Sequence, residues 1–207
     1  MTDQTPPRDA GLGSDQVEHR VQVLGKEILS DRKYTLKMFR IAWRRSDGSL
    51  DTLYREIYDK GDGAVVFLYN SARKSVVLIR QFRLAAYLNG HQSLLWEAAA
   101  GGLDGMDPAE RIQLEAMEET GFKIERPTWV FQAFMSPGAF TERLHFFIAE
   151  YDPNQRPAAG GGLAVEGEDI EVIELPFHEA WGMLENGIIV DAKTIMLMQY
   201  ARINIFN

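Results

Sequence analysis

The stretch PAERIQLEAMEETGF, residues 108–122, places three carboxylates in the last two turns of a predicted helix. Glu115 precedes Glu118 by three residues and Glu119 by four, so it shares a helix face with both. Each like-charge pair at this spacing costs about 0.2–0.5 kcal/mol in an isolated helix. The negative end of the helix dipole also disfavours anions in the C-terminal turn. A cation bound at this face would offset the repulsion.

The residues at its two ends predict where this helix begins and stops. Asp107 is a natural N-cap, Pro108 suits the first helical position, and Glu110 completes a pattern similar to a capping box. Gly121 can end the helix in the left-handed conformation. These signals predict a helix over residues 108–120.

Composition restricts the kind of ligand that this chain can hold. The chain has 207 residues, enough for one good core, and a net charge of −8 that disfavours nucleic acid and anionic membranes as partners. It has no cysteine, and its four histidines are scattered, so a metal would be bound mainly by oxygen, as Mg²⁺, Mn²⁺ and Ca²⁺ are. No apolar run predicts a membrane span or a signal peptide, and we expect a soluble, cytoplasmic protein.

The N-terminal third of the chain divides into two parts. Residues 1–17 are polar and rich in Pro, Gly and Asp, which predicts a disordered tail. Residues 18–58 form a β-rich extension, in which YTLKMFRIAWR and LDTLYREIY are predicted strands separated by the turn RSDGS. This extension is too small to bury a core of its own.

Residues 59–207 have the pattern of a mixed α/β domain. GAVVFLYN and SVVLIRQF flank the polar turn 71–74 and predict a buried hairpin. TWVFQAF, RLHFFIAEY and the second half of EGEDIEVIEL are further predicted strands. FHEAWGMLENG and DAKTIMLMQYARI predict two helices at the C-terminal end.

The segment GGLDGMDPAERIQLEAMEETGF, residues 101–122, resembles the Nudix box. That motif reads Gly, five spacers, Glu, seven spacers, and then Arg-Glu-apolar-x-Glu-Glu-x-Gly-apolar. Its second half is matched by Glu115, Ala116, Glu118, Glu119, Gly121 and Phe122.

The first half of the box departs from the family pattern. Counted from Gly101, Asp107 stands where the family has Glu, only six spacers follow, and Leu114 stands where the family has Arg. We interpret Asp107 as the helix cap and not as a catalytic group. The usual Arg–Glu orienting pair is missing from the motif.

The shortened box is similar to the GDP-mannose pyrophosphatase branch of the Nudix family, whose relatives are ADP-ribose pyrophosphatases. The segments EILSDRKYTL, REIYDKGDGA, VVLIRQFR, TERLHFFIAEY, EDIEVIELPF and DAKT also look like that branch and follow in order over residues 25–200. The resemblance implies a Nudix α/β/α sandwich with a mixed sheet and the β-rich N-terminal extension. It also implies a homodimer in which the extension serves dimerisation and is exchanged between subunits.

The function that this resemblance implies is hydrolysis of a nucleoside diphosphate linked to another group. For GDP-mannose the products would be GMP and mannose 1-phosphate, with Mg²⁺ as the cofactor and Mn²⁺ as the alternative. An ADP-ribose pyrophosphatase would share the metal site and differ in the base that it recognises. A regulator that binds a nucleotide sugar without cleaving it is the alternative from another functional class.

The resemblance also assigns site residues. Glu115, Glu119, Glu168 and the backbone carbonyl of Ala100 match the metal ligands of the family, and Glu168 and Glu118 both remain candidates for the general base. Glycines before Glu168 would let its loop close over a bound substrate. The positions that match substrate contacts are Arg55, Glu56, Arg80, Arg83, Gly101, Glu142 and Lys193.

Arg80 and Arg83 have an independent rationale. Both lie where the chain leaves a predicted buried strand, and a guanidinium can hold a phosphate through two parallel hydrogen bonds. The alternative for each is a salt bridge at the protein surface.

Overall fold

The computed structural model describes residues 17–207, which form two compact units. The predicted tail lies outside the described residues except for Val17. The first unit comprises residues 17–60 and Ser136–Glu142, and the second comprises Gly61–Met135 and Arg143–Asn207.

The first unit is built on a three-stranded antiparallel sheet. Its strands are β1 (Val21–Asp31), β2 (Thr35–Arg44) and β3 (Leu50–Asp59), in that spatial order. The turn between β2 and β3 falls at the predicted RSDGS. Within residues 21–59, all of which the structure describes, no side chain is buried. The three strands confirm the β-rich character predicted for this region.

The second unit contains a seven-stranded sheet with the order β10-β5-β4-β9-β8, to which β6 adds on β5 and β7 adds on β4. Strands β4 and β9 pair in parallel, and the other pairs among the described strands are antiparallel, so the sheet is mixed. The strands are β4 (Gly63–Asn70), β5 (Ser75–Gln81), β6 (Leu95–Glu97), β7 (Ala99–Gly102), β8 (Thr128–Phe134), β9 (Arg143–Glu150) and β10 (Glu171–Pro176).

Four α-helices accompany this sheet, and the carboxylate-bearing helix has the predicted ends. Its first part is α-helical, but its last turn, Ala116–Thr120, is a π-helix, which the sequence did not predict. Within residues 17–207, no helix has the length and apolar character to span a membrane. The α-helices are α1 (Leu84–Leu88), α2 (Pro108–Glu115), α3 (Phe177–Glu185) and α4 (Ala192–Asn204).

The two faces of the sheet carry separate hydrophobic cores. Successive side chains of β4 point to opposite faces. Phe67 belongs to one core together with Leu197 of α4, whereas Val66 belongs to the other core together with Ile112 of α2. The predicted α/β/α sandwich with a mixed sheet is confirmed, and α2 lies on the opposite face from α3 and α4.

Candidate active site

The carboxylate of Glu115 lies directly against the backbone of strand β7. Gly101 is the residue that it contacts, and a Cβ atom at position 101 would overlap the Oε1 atom of Glu115. The backbone at Gly101 is held in place because β7 pairs with β4, with Ala64 opposite Gly101. Glycine is required here for the close approach of a carboxylate.

The local chemistry of helix α2 agrees with the predicted helix limits. The Asp107 carboxylate accepts hydrogen bonds from the backbone N–H groups of Ala109 at 2.8 Å and Glu110 at 3.2 Å. Gly121 ends the helix with φ of +77°. The π-helical turn 116–120 carries two of the three carboxylates, and such turns are frequent at functional sites.

Glu119 is a buried carboxyl group with an altered pKa. Its side chain is buried, and its Oε2 atom accepts a 2.8 Å hydrogen bond from the backbone N–H of Ala100. Burial raises the pKa of Glu119 to about 8, with smaller raising effects from Glu115 and Glu168. The hydrogen bond from Ala100 and the charge of Arg83 act in the opposite direction. At neutral pH without a cation, this carboxyl group is mostly protonated.

Arg111 is the cationic partner of the other two carboxylates. Its guanidinium forms an ion pair with Glu115, lies 3.4 Å from Oε2 of Glu118, and donates a 3.0 Å hydrogen bond from Nε to the carbonyl oxygen of Gly102. Leu114, which stands where the family has arginine, is exposed. Arg111, about one turn before position 114, therefore provides the ion pair with Glu115 that Leu114 does not form.

A glycine-rich loop is bonded to the C-terminal end of this helix. Gly161 donates its N–H to the carbonyl oxygen of Glu119 at 2.9 Å, and Gly162 donates to that of Glu118 at 3.0 Å. Gly160 has φ of +76°, and a Cβ atom there would lie 2.6 Å from the Glu119 carbonyl oxygen. The loop is therefore fitted closely to the turn that bears the carboxylates.

The ligand atoms predicted for a metal at this site suit a hard divalent cation. Glu115, Glu119, Glu168 and the Ala100 carbonyl supply only oxygen, which Mg²⁺ prefers. Glu168 is turned towards its own loop, since its Oε2 atom accepts a 2.9 Å hydrogen bond from the N–H of Leu163. Among the described side chains, which leave out that of Glu166, no three Asp, Glu or His side chains converge as a metal-binding group. A cation would favour the ionised form of Glu119, which burial alone disfavours.

Two of the predicted substrate contacts meet at one buried carboxylate, Glu97. Arg83 donates to it from Nε at 2.9 Å, and the ammonium group of Lys193 donates to its other oxygen. Lys193 also donates to Asp191 at 2.9 Å. The prediction missed Glu97, although a lone acidic residue within the apolar run LLWEAAAGG was a signal that could have found it.

Arg80 has structural partners instead. Its Nη1 atom lies 3.2 Å from Oε2 of Glu171 on the neighbouring strand, and its guanidinium lies 5.1 Å from the ring centroid of Trp96. These contacts correspond to the salt-bridge alternative. Its role in substrate binding stays a prediction.

The other predicted contacts belong to the first unit. Arg55 and Glu56 are exposed residues of β3, and Arg55 donates from Nη1 to the carbonyl oxygen of Tyr54 at 2.8 Å. Glu142 is paired with Lys60, with 2.6 Å between Oε1 and Nζ. Their roles in substrate binding remain predictions.

Comparisons with known proteins show the family to which this chain belongs. A model described as the NUDIX domain matches residues 59–198, and one described as the GDP-mannose pyrophosphatase NudK N-terminal domain matches residues 20–58. A Pectobacterium atrosepticum protein named GDP-mannose pyrophosphatase is 50% identical over 182 residues, covering 87% of this chain and 93% of that protein. Its namesake in Escherichia coli K12 is 48% identical, covering 87% and 94%.

A solved structure described as an ADP compounds hydrolase aligns with a TM-score of 0.67, covering 88% of this chain and 92% of that chain. At 18% sequence identity this likeness concerns the fold alone. The NUDIX match, by contrast, spans more than half of the chain, and the named relatives are similar over nearly all of their length. The chain therefore belongs to the Nudix family, in the branch that carries the NudK type of N-terminal domain.

Proposed function

We propose that the protein is a Mg²⁺-dependent pyrophosphatase that hydrolyses GDP-mannose to GMP and mannose 1-phosphate. Relatives that are 47–50% identical over most of the chain carry the name GDP-mannose pyrophosphatase. The structural observation that carries the proposal is the buried pair of Glu115 and Glu119, which pack against β7. Two carboxylates buried together are costly in a site without a cation.

The proposed ligands of Mg²⁺ are Glu115, Glu119, Glu168 and the carbonyl oxygen of Ala100, with Mn²⁺ as the alternative ion. When bound, the ion neutralises charge on the diphosphate and increases the acidity of the attacking water. The water oxygen forms a bond to one phosphorus, and the bridging oxygen leaves with the other phosphate. A base accepts the proton released from the water.

The base is either Glu118 or Glu168. Glu118 is partly exposed on the π-helical turn, and its Oε2 atom lies 3.4 Å from Nη1 of Arg111. Glu168 lies on the glycine-rich loop and accepts a hydrogen bond only from its own loop among the described residues. Glu118→Gln and Glu168→Gln separate these roles, because loss of the base removes the acidic limb of the pH–rate profile.

We also propose a homodimer with a cytoplasmic location. The first unit's sheet buries no side chain within residues 21–59 and exposes apolar residues such as Val23, Ile28 and Leu50. Such a sheet needs a covering surface, and a second copy of the chain can provide it. A chain without cysteine gains nothing from an oxidising compartment. Sedimentation velocity at several protein concentrations tests the dimer.

The activity is tested by measuring products from GDP-mannose, ADP-ribose and other nucleotide diphosphosugars, with Mg²⁺, with Mn²⁺ and with EDTA. We expect GMP from GDP-mannose, produced well ahead of the other products and only with a divalent cation. A preference for ADP-ribose would retain the chemistry and overturn the substrate. Tight binding of one nucleotide sugar without any product would identify a regulator and overturn the proposed enzyme.

Two glutamine variants in the same helix test the metal site. Glu119→Gln removes a proposed ligand, and we expect it to abolish turnover without lowering the melting temperature in EDTA, because the amide places no ionisable group at a buried position where ionisation is disfavoured. Glu110→Gln removes an exposed carboxylate from the first turn of α2 and should retain full turnover. Full turnover in the Glu119 variant would overturn the metal-site assignment.

A further inference from the structure

Glu97 is a buried carboxylate that joins two cationic side chains. It ends strand β6, and only 2% of its surface is exposed. One carboxylate oxygen accepts the Nε–H of Arg83, and the other accepts from the ammonium group of Lys193. A carboxylate at this depth requires such partners, since an unpaired buried charge is strongly destabilising.

The contact between Glu97 and Lys193 is fixed by the start of helix α4. Asp191 caps that helix by accepting the N–H of Thr194 at 3.0 Å, and it also accepts from Lys193 at 2.9 Å. The N–H of Ala98 donates to Oγ1 of Thr194 at 2.7 Å. The hydrogen bond between Ala98 and Thr194 therefore ties the end of strand β6 to the first turn of α4, next to the Glu97–Lys193 ion pair.

Lys193 keeps its positive charge at this buried position. Burial alone would lower its pKa, but the carboxylates of Glu97 and Asp191 outweigh that effect and raise the pKa above its ordinary value. Lys193 is therefore a fixed cation and not a candidate base.

Arg83 has an unused hydrogen-bonding face. Glu97 accepts only its Nε–H, and the two terminal nitrogens of Arg83 have no hydrogen-bond partner among residues 17–207 when the undescribed side chain of Glu166 is left aside. The side chain is 42% exposed. Glu97 stands three residues before Ala100, whose N–H donates to Oε2 of Glu119 at 2.8 Å, so the ion-pair network borders the carboxylate site. Two free N–H groups of a guanidinium match two oxygens of a phosphate.

We propose that Glu97 is a positioning residue that holds Arg83 and Lys193 in place to receive the diphosphate of the nucleotide sugar. This inference rests on the proposed function and deepens it. The carboxylate of Glu97 accepts the Nε–H of Arg83, which leaves the terminal nitrogens of Arg83 available. Its other oxygen accepts from the ammonium group of Lys193 and so fixes the position of that cation. Stability alone does not account for such a network, because buried ion pairs are often no more stable than apolar side chains of equal volume.

The test is the steady-state kinetics of Glu97→Gln on the nucleotide sugar that the wild type cleaves. The amide retains the volume of the side chain and one acceptor oxygen, but it loses the charge and presents an NH₂ group to one of the cations. We expect KM to rise about tenfold with kcat within about threefold, because binding to the enzyme weakens while the reacting groups remain. A purely structural role would lower the amount of active enzyme, and hence the apparent kcat, at an unchanged KM. That result would overturn the proposal.

Two further variants keep the test decisive. Glu174→Gln changes a carboxylate that accepts from Tyr151 at 2.8 Å elsewhere in the sheet, and it should leave KM unchanged. Should Glu97→Gln not fold, Glu97→Asp retains the charge but shortens its reach, and it should raise KM in the same direction. A wild-type KM in the aspartate variant would overturn the proposal.

A failure of the proposed function is distinguishable from a failure of this inference. If the wild type cleaves no nucleotide sugar, the proposed function is wrong, and the variants are compared by the Kd for GDP-mannose from calorimetry. A Kd weakened about tenfold in Glu97→Gln supports the role of Glu97 in binding without turnover. An unchanged Kd, or no binding by the wild type, overturns it.

Discussion

Replacing Glu119 by glutamine should remove a pH dependence from the stability of the metal-free protein. Burial raises the pKa of Glu119 from 4.5 to about 8 in the folded state. The folded protein therefore binds this proton more tightly than the unfolded chain does. The resulting stabilisation is complete below pH 4.5 and is lost as the pH rises through 8.

The size of this loss follows from the pKa values. Between the two pKa values, the free energy of unfolding falls by about 1.36 kcal/mol for each pH unit. Over the two pH units between pH 6 and the folded-state pKa of about 8, this slope corresponds to a loss of roughly 3 kcal/mol in the free energy of unfolding. The curve bends near that pKa, so most of the loss is complete only at pH 9. A glutamine side chain has no proton to lose, and its amide oxygen can still accept the N–H of Ala100.

The assay is denaturant unfolding of the wild type and Glu119→Gln at pH 6, 7, 8 and 9 in EDTA. Other titrating groups affect both proteins, so the difference between their free energies of unfolding isolates Glu119. Between pH 6 and pH 9 we expect the variant to gain roughly 3 kcal/mol in free energy of unfolding relative to the wild type. Excess Mg²⁺ should reduce the change, since a bound cation stabilises the ionised carboxylate of the wild type. Parallel pH profiles for the two proteins in EDTA would refute the assignment of a raised pKa to Glu119.

Three other substitutions test the packing around the carboxylates. Gly101→Ala should lower kcat/KM about 100-fold and also lower the melting temperature, because the new Cβ displaces the buried carboxylate of Glu115 from its place beside Arg111. Enzyme assays and thermal melts check both effects. Arg111→Met should lower the free energy of unfolding in EDTA by roughly 3 kcal/mol, and by less in Mg²⁺, because the buried ion pair between Arg111 and Glu115 is broken. Gly160→Ala should destabilise by roughly 3 kcal/mol in urea unfolding, whereas Gly167→Ala, with a similar φ but open space around it, should cost about 1 kcal/mol. Equal losses in the two glycine variants would contradict the close fit of the loop.

The parts of the fold that depend on local chemistry were predictable from the sequence. The carboxylate-bearing helix begins at its Asp107 cap and ends at Gly121 because neighbouring residues satisfy its terminal groups. The hairpin of β4 and β5 follows from two apolar runs that flank a polar turn. In both cases the deciding residues lie within one turn or one strand of the feature.

The features that were missed depend on contacts between distant parts of the chain. Glu97 and Lys193 are 96 positions apart, and no local pattern brings them together. The π-helical turn 116–120 has no distinctive composition, and its carbonyl groups are bonded to a loop some 40 residues later. The spacing of four residues predicts the ion pair of Arg111 with Glu115, but it does not predict the contact of Arg111 with Glu118, which lies seven residues later.

The parallel pairing of β4 with β9 has a consequence for synthesis of the protein on the ribosome. Residues 63–69 pair with residues 144–150, so the central strand lacks one of its neighbours until the chain has grown past β9. Helix α2 is synthesised earlier, yet the glycine loop that bonds to its last turn follows β9, and Lys193 comes later still. Chains that terminate early would therefore carry the clustered glutamates without the elements that hold them, and the nascent enzyme should acquire its nucleotide site only near release.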